Sequence, residues 1–325
     1  MSLGGNRTQL VAIIAVIASM VIWSASGIAV KQAIVVLPPL TMIILRFTPS
    51  VFLMFVIGML CRHSELFRLQ RIDLHDLPLF LIAGFCQPFL YYLLETFSYD
   101  ALDSPTIAEA LLSTNPLFSP LFAAVLLRER VTKYNIIGIL ISTAGMFMLI
   151  LAGRTDFQIG NYWGIPLAFA AVSAAIIDSV MMRKIPARYT PLSIIFYAQL
   201  ISLLFFYPLW FWREGPSDLA AIEWAQLADI TSPLTMALIS VQYLTVFSSV
   251  IAFILFCYAL RIVGVTQANA FNNIRPAFTA LWMFLFFGEH LPATKWVGMI
   301  LVIIGLFVCQ KKVKTQRNDT ENAKK

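Results

Sequence analysis

The stretch QANAFNNIRPAFTALWMFLFFGEHLPATKWVGMILVIIGLFV, residues 267–308, resembles an earlier stretch of the same chain, AEALLSTNPLFSPLFAAVLLRERVTKYNIIGILISTAGMFML, residues 108–149. A shift of 160 residues aligns them. Matches of Phe, Leu or Ala carry little weight in apolar sequence, whereas matches of Pro, Glu and Gly carry more. The second kind comprises Pro116/Pro276, Glu129/Glu289, Gly138/Gly298 and Gly145/Gly305. The chain therefore contains an internal duplication.

Apolar runs extend outward from these stretches over most of the 325 residues. Only 12% of the residues are charged and 59% are hydrophobic, whereas soluble domains carry about 25% charged residues. Runs of about 20 apolar residues cross the hydrocarbon of a bilayer as helices. The runs are 10–35, 39–60, 78–99, 104–127, 134–152, 163–182, 191–212, 234–258, 264–287 and 293–310. The sequence predicts an all-α integral membrane protein with ten transmembrane helices.

The duplication divides these ten spans into two halves of five. Because five is odd, the second half enters the membrane with the opposite orientation, which makes an inverted repeat. We expect a first repeat at 1–155, a second at 156–310 and a basic, disordered cytoplasmic tail at 311–325. Secondary transporters use inverted repeats to alternate between two open shapes around a site near the midplane. Duplication for structure alone is the alternative.

The distribution of basic residues predicts the topology. With the N-terminus inside, 17 of the 23 Lys and Arg residues fall in cytoplasmic segments and four on the opposite side. This asymmetry follows the positive-inside rule. We therefore expect a multi-pass protein of the inner (cytoplasmic) membrane with both termini in the cytoplasm. The basic charge is accounted for by topology, so no nucleic-acid partner is expected. The first apolar run is longer than a signal-peptide core and is expected to stay in the mature protein.

Ionisable side chains within the predicted spans are the first candidates for a substrate pathway, since such groups are expensive at membrane depth. Counting from the helix ends places most of them in the outer third, Asp178 near the inner face and Arg275 near the middle. We hypothesise that the two glutamates face Arg46 or Lys31 across an outer vestibule, as a gate or a site for a charged group. A fixed salt bridge between helices is the alternative. The candidates are Lys31, Arg46, Glu95, Glu109, Asp178 and Arg275.

Polar stripes containing proline occur at equivalent depths in the two repeats. Proline removes a backbone donor and frees a carbonyl, which predicts helix kinks at Pro116 and Pro276. A kink without a ligand is the alternative. The polar residues beside these prolines are Asn115, Asn269 and Asn273, and the aromatic candidates for the pathway wall are Trp23, Tyr91 and Tyr243.

Other functional classes find little support. The three histidines, His63, His75 and His290, lie in loops, and neither HExxH nor a Walker A motif is present. An intramembrane enzyme is thus disfavoured and ATP-driven transport is not expected. The isolated cysteines show no metal-binding spacing. We expect neither a metal nor a cofactor.

The ordered set of residues is similar to the EamA-like members of the drug/metabolite transporter superfamily. The resemblance rests on Trp23 with Lys31, on Pro39 with Arg46, and on the two stretches quoted above. It implies a ten-helix fold around a central cavity and the export of amino acids or other metabolites. Glu109 and Arg275 depart from the residue types usual at their positions in the family. The substrates of the family can therefore be assigned to this chain less directly.

The function expected from the sequence is a secondary transporter that works by alternating access in a lipid bilayer. A small organic metabolite, with amino acids foremost, is the expected substrate, because opposite charges at Glu109 and Arg275 suit a zwitterion. A channel or a non-transporting receptor remains an alternative. The sequence leaves open whether transport is coupled to protons and whether two copies form a homodimer.

Overall fold

A computed structural model of the chain describes most of its residues, and every regular element within them is helical. The described residues are 3–64, 67–102, 108, 111–112, 114–115, 118–119, 122, 124–125, 131–151, 161–220, 229, 231–287 and 293–309. Nine helices make up most of the described residues. They are α1 (Leu3–Ile34), α2 (Pro39–Leu60), α3 (Leu77–Ala101), α4 (Lys133–Leu151), α5 (Gly164–Lys184), α6 (Pro191–Arg213), α7 (Pro233–Val263), α8 (residues 265–287) and α9 (Ala293–Cys309), with a helical turn at Gly215–Ala220.

Six helices of the described part are long and apolar enough to cross a membrane: α1, α2, α3, α5, α6 and α7. Two shorter apolar segments, Lys133–Met148 and Trp296–Gly305, lie within α4 and α9. The predicted all-α membrane class is therefore confirmed. Most of the predicted span 104–127 lies outside the described residues, so the count of ten stays a prediction. The predicted run 234–258 is too short, because α7 continues to Val263.

Several helices begin where the sequence supplies a proline and a capping hydroxyl. Pro191 and Pro233 occupy the first turns of α6 and α7. Proline suits this position because its missing N–H would have no helical partner there. The side chains of Thr190 and Ser232 accept hydrogen bonds from the backbone N–H groups of Ser193 and Thr235. These caps fix where the chain re-enters the bundle.

Three helices are interrupted at a similar position in the bundle. In α3, Phe85–Leu90 has π-type hydrogen bonding and Gln87 leaves helical geometry. In α7, Leu244–Ala252 is also π-helical. In α8, a 3-10 turn at Phe271–Ile274 precedes Arg275 and Pro276. Interruptions of this kind free backbone groups that must be satisfied by neighbouring helices or by solute, because lipid offers no partners.

Helices α4 and α9 pack closely because glycines remove side chains from their contact. A methyl group added at Gly145 would lie 2.6 Å from the carbonyl oxygen of Gly298 and 2.8 Å from the backbone nitrogen of Val302. A methyl group at Gly305 would meet the backbone of Gly138 at 2.5 Å. Small residues allow such backbone approach in membrane bundles. The two helices therefore form one tightly packed pair.

We predict that Gly145→Ala destabilises the protein by about 1–3 kcal/mol, the range typical of overpacking. The added methyl group meets backbone atoms, which can yield only if the helices separate. Thermal unfolding of the purified protein in detergent measures the effect. Leu140→Ala, at an exposed position of the same helix, is the control and should change the melting temperature little. Equal melting temperatures for Gly145→Ala and the unmodified protein would contradict the close contact.

A charged cluster joins the segment before α3 to the segment before α6. Arg188 donates to both Asp73 and Asp76, and Tyr189 donates to Asp76 at 2.8 Å. Asp76 is 4% exposed. The Tyr189 hydrogen bond, opposed by burial and reinforced by Arg188, holds the pKa of the Asp76 carboxyl below its ordinary value. The ionised carboxylate therefore stabilises the fold.

This cluster predicts a pH dependence of stability. A carboxyl whose pKa is lowered by folding stabilises fully above its unfolded pKa, and the effect is lost as the pH falls through the lower folded pKa. Asp76→Asn should lower the melting temperature at pH 7, and its difference from the unmodified protein should shrink as the pH falls below about 4. Melting curves across this pH range test the prediction.

Asp73→Asn is the matched control, because the Asp73 side chain is 57% exposed and its ion pair is screened by water. It should cost less stability than Asp76→Asn at pH 7. A difference between Asp76→Asn and the unmodified protein that grew in acid would refute the assignment.

Candidate functional site

A central cavity lies where the interrupted helices meet α1, α2 and α5. Its volume is about 40 Å³, space for a few water molecules, whereas ligand sites for drug-sized molecules occupy roughly 300–1,000 Å³. The cavity is thus too small for a metabolite, which could enter only if helices moved apart. The lining residues are Trp23, Ser26, Arg46, Gln87, Tyr91, Tyr92, Glu95, Leu112, Asn115, Ala175, Asp178, Ser179, Ser248, Phe253, Phe256, Asn269, Asn272 and Arg275.

Arg46 of α2 is the most buried cation of the site, with 1% of its surface exposed. Its Nε donates to the Ser249 hydroxyl at 2.8 Å and its Nη2 to the Ser248 hydroxyl at 3.0 Å. The guanidinium also lies over the Tyr92 ring, 4.2 Å from its centroid. Hydroxyls and an aromatic face therefore hold this charge, and no described carboxylate lies within salt-bridge distance.

The π-helical segment of α7 is the junction to which the other helices bind. The carbonyl oxygen of Ser248 accepts from the Trp23 indole at 3.1 Å, and that of Ser249 accepts from the Gln199 amide at 2.6 Å. The Ser26 hydroxyl donates to the Ser248 hydroxyl at 3.0 Å. Backbone groups affected by the irregular winding thus find side-chain partners on α1 and α6, as membrane depth requires.

One wall of the cavity is aromatic. The Trp23 ring packs edge-on against Phe253 and at a tilt against Phe256, with both centroid separations 5.1 Å. Such pairs are favourable beyond the area that they bury. This wall offers an apolar surface beside the charged groups.

Two carboxylates line the cavity. Glu95 of α3 accepts a hydrogen bond from the Tyr91 hydroxyl at 2.7 Å. Asp178 of α5 is 2% exposed, and its Oδ1 has no hydrogen-bond partner among the described residues. An unsatisfied buried carboxylate oxygen is costly unless a solute or a proton satisfies it.

Amide groups from both halves of the chain add unsatisfied polar atoms. Asn115 Oδ1 and Asn269 Nδ2 have no partner among the described residues, and both residues line the cavity. The hydroxyl of Ser179 donates to Asn269 Oδ1 at 3.4 Å. Arg275, 6% exposed, contributes a second buried cation at the start of the helix that follows the 3-10 turn. The cavity thus presents both acceptor and donor groups.

The structure brings together most of the candidate residues found in the sequence. Those at the cavity are Trp23, Arg46, Tyr91, Glu95, Asn115, Asp178, Asn269 and Arg275. Asp178, whose depth along the helix predicts a position near the inner face, is 2% exposed and lines the cavity. Its α5 neighbours Ala175 and Ser179 line the cavity with it, because residues three and four apart share one face of a helix.

Three candidates lie elsewhere. Lys31 donates to the carbonyl oxygens of Tyr99 and Leu102 at 2.7 and 2.8 Å, so it ties α1 to the end of α3. Tyr243 donates to the Ile22 carbonyl at 2.7 Å. Asn273 donates to the Ser142 hydroxyl and so faces α4. Each side chain thus donates to a neighbouring helix and is outside the described lining of the central cavity, and its place on the pathway stays a prediction.

Among the described residues, no ion pair joins Glu95 to Arg46 or Lys31, and the pairing with Glu109 stays a prediction. Arg46 binds serine hydroxyls, and Lys31 binds backbone carbonyls. Glu109 and Pro116 lie outside the described residues. The predicted roles of these two residues therefore stay predictions.

The sequence analysis missed Gln87, Ser248, Phe253 and Phe256 as cavity residues. Gln87 precedes Pro88 within an apolar run, the same polar-proline pattern that marked Asn115 and Arg275, so a signal was available. The serine and the phenylalanines carried none, because such residues are common throughout membrane helices. Among the described residues, no group of three His, Cys, Asp or Glu side chains could hold a metal ion.

Comparison with known proteins gives a consistent picture. The chain is 26% identical over 253 residues to a probable terminal-alkyne amino-acid exporter of Streptantibioticus cattleyicolor, an alignment that covers 77% of this chain and 78% of that protein. It is 22% identical to an uncharacterized transporter of Archaeoglobus fulgidus, with 89% and 95% of the two chains covered. An uncharacterized transporter of Bacillus subtilis is 25% identical, with 74% and 69% covered.

A solved crystal structure shares the fold, with a TM-score of 0.70, 20% sequence identity and coverage of 92% of this chain and 97% of that one. The model of the EamA-like transporter family matches residues 10–151 and 162–309. These two segments include the nine helices of the described residues, apart from the first seven residues of α1. The chain is a multi-pass membrane protein that belongs to the EamA-like transporter family.

Proposed function

We propose that this transporter exports amino acids or closely related metabolites by alternating access between two inverted five-helix repeats. The single observation that carries the proposal is the buried Asp178 carboxylate, whose Oδ1 has no partner among the described residues and which shares one cavity with Arg275. A carboxylate suits the ammonium group of a zwitterion, and a guanidinium suits its carboxylate. The sequence hypothesis gives the ammonium-binding role to Glu109, which lies outside the described residues, and we propose Asp178 for it here.

The neighbouring groups fit the same substrate class. Asn115 Oδ1 can accept from an ammonium N–H and Asn269 Nδ2 can donate to a carboxylate oxygen, since neither atom has a partner in the described part of the chain. The aromatic wall formed by Trp23, Phe253 and Phe256 suits an apolar side chain. Sites with a few placed polar groups on an apolar wall are typical of small-molecule recognition. One relative bears the name of a probable amino-acid exporter, which supports this choice.

The two matches to the family model support a repeat at 1–155 and another at 156–310, since each match falls within one half. Ten spans follow if residues 104–127 form a helix across the membrane. With five spans in each half the repeats are inverted, and both termini lie in the cytoplasm by the positive-inside rule. The tail 311–325 extends beyond the second repeat.

The interrupted helices support movement around the cavity. Discontinuous helices commonly surround transporter sites, where the parts on either side of a break move relative to one another. The breaks in α3, α7 and α8 adjoin the cavity through Gln87, Ser248 and Asn272. A cavity of about 40 Å³ is too small for an amino acid, so the proposal requires a wider cavity at another stage of the cycle.

Uptake of labelled amino acids into proteoliposomes tests the proposal. We expect saturable flux that is stimulated by unlabelled substrate on the opposite side, as alternating access requires. Asp178→Asn and Arg275→Gln should each lower the transport efficiency about 10- to 100-fold, because a hydrogen bond to a charged group contributes about 1.5–3 kcal/mol. Parallel assays with a pH gradient show whether a proton is coupled.

Asp100→Asn, at an exposed position in the last turn of α3, and Arg62→Gln, at an exposed position after α2, are the matched controls. They should retain the flux. Unsaturable flux would identify a channel, and flux of other metabolites without any amino acid would refute the substrate class. Unchanged efficiency in folded Asp178→Asn would remove the observation that carries the proposal.

A further inference from the structure

A second cavity lies at one end of the bundle, away from the central site. It is open, its volume is about 680 Å³, and it lies between the loop that joins α5 to α6, the end of α7 and the segment that follows α2. Four arginines line it, Arg68, Arg183, Arg188 and Arg261, and its described lining contains no Asp or Glu. We call this cavity the basic pocket.

Two of these guanidinium groups are held in place by backbone carbonyls. Arg261 donates from Nη1 to Tyr189 at 2.6 Å and from Nη2 to Pro186 at 2.8 Å. Arg183 donates from Nη1 to the carbonyl of Arg261 itself at 2.5 Å. Because a guanidinium carries five N–H donors, each retains donors beyond these bonds. The positions of the charges are therefore built into the fold, while part of their binding capacity is left over.

The charge of the basic pocket is only partly neutralised. Arg188 pairs with Asp73 and Asp76 behind the lining. Arg68, Arg183 and Arg261 have no carboxylate within salt-bridge distance in the part of the chain that the structure describes. Three uncompensated cations around one open cavity repel one another, and an anion placed among them relieves that repulsion.

We infer that the basic pocket binds the phosphate headgroup of an anionic membrane lipid. Arginine recognises phosphate through paired N–H donors, and basic pockets between the ends of transmembrane helices bind anionic headgroups. The pocket lies at the ends of α5 and α7, the depth at which headgroups occur. Ile262, 37% exposed, gives its rim an apolar edge against which an acyl chain can lie.

This inference does not depend on the proposed substrate, since the pocket is separate from the central cavity. It gives the positive residues of this face a specific ligand in addition to their effect on topology. A bound lipid would bridge the α5–α6 loop and the end of α7, which the Arg261 hydrogen bonds already join.

Native mass spectrometry of the full chain in detergent, titrated with phosphatidylglycerol or phosphatidylcholine of the same acyl chains, tests the inference. Phosphatidylglycerol should bind more tightly than phosphatidylcholine. The Arg68→Gln/Arg183→Gln double variant should weaken binding of phosphatidylglycerol about tenfold and leave that of phosphatidylcholine unchanged. Arg62→Gln, an exposed arginine on the same segment outside the lining, is the control and should bind as the unmodified protein does.

Equal affinity for the two lipids, or equal losses in the control and the double variant, would overturn the inference. Complete displacement of phosphatidylglycerol by millimolar inorganic phosphate would overturn the assignment of the ligand as a lipid, since it would show that the phosphate group alone occupies the pocket. Melting curves without lipid establish that the double variant folds. Should it not fold, Arg68→Gln alone decides the question, because the Arg68 side chain makes no hydrogen bond to a described residue.

Discussion

Hydrogen bonds to Ser248 and Ser249 are the interaction on which the rest of the bundle depends. Their carbonyl oxygens lie in a π-helical segment, and lipid offers no substitute for a lost partner. Trp23 from α1 and Gln199 from α6 supply the donors, while Arg46 from α2 binds the two hydroxyls. Ser50 also reaches this junction by donating to Gln199 at 2.5 Å. Four helices are thus joined at one irregular turn, and the aromatic wall and the buried arginine take their positions from it.

The central cavity contains two kinds of buried charged group, one with hydrogen-bond partners and one without a described partner at one of its atoms. Arg46 is satisfied by serine hydroxyls and the Tyr92 ring, so its charge serves as part of the framework. Asp178 differs, because one of its oxygens is left without a described partner. Buried groups are normally satisfied, and an exception inside a transporter is where a passing solute would gain most. The aromatic side of the cavity suits apolar groups of a solute but does not fix how they are oriented. The charged side chains would orient the solute.

The sequence predicted the helical membrane class and much of the cavity, for different reasons. Long apolar runs have no other stable structure in lipid, so the class followed directly. Arg46, Glu95 and Arg275 were found because charge at membrane depth must be used or neutralised. The contact of Lys31 with two backbone carbonyls was not predicted, because depth along a helix does not tell which carbonyl a flexible side chain will reach. The π-helical turn of α7 gave no signal in its apolar and hydroxyl residues, and so Ser248 was missed, together with the junction that it forms.

The glycine contact between α4 and α9 has a consequence for how the protein is made. Helix α4 belongs to the first half of the chain, and α9 is synthesised after the other described helices. The face of α4 that carries Gly145 packs against the backbone of α9 near Gly298, so it stays uncovered during synthesis of almost the entire second half. The contact between α4 and α9 therefore forms only after α9 has been synthesised. A chain shortened before α9 would keep its central cavity residues and still lack the partner that encloses its first half.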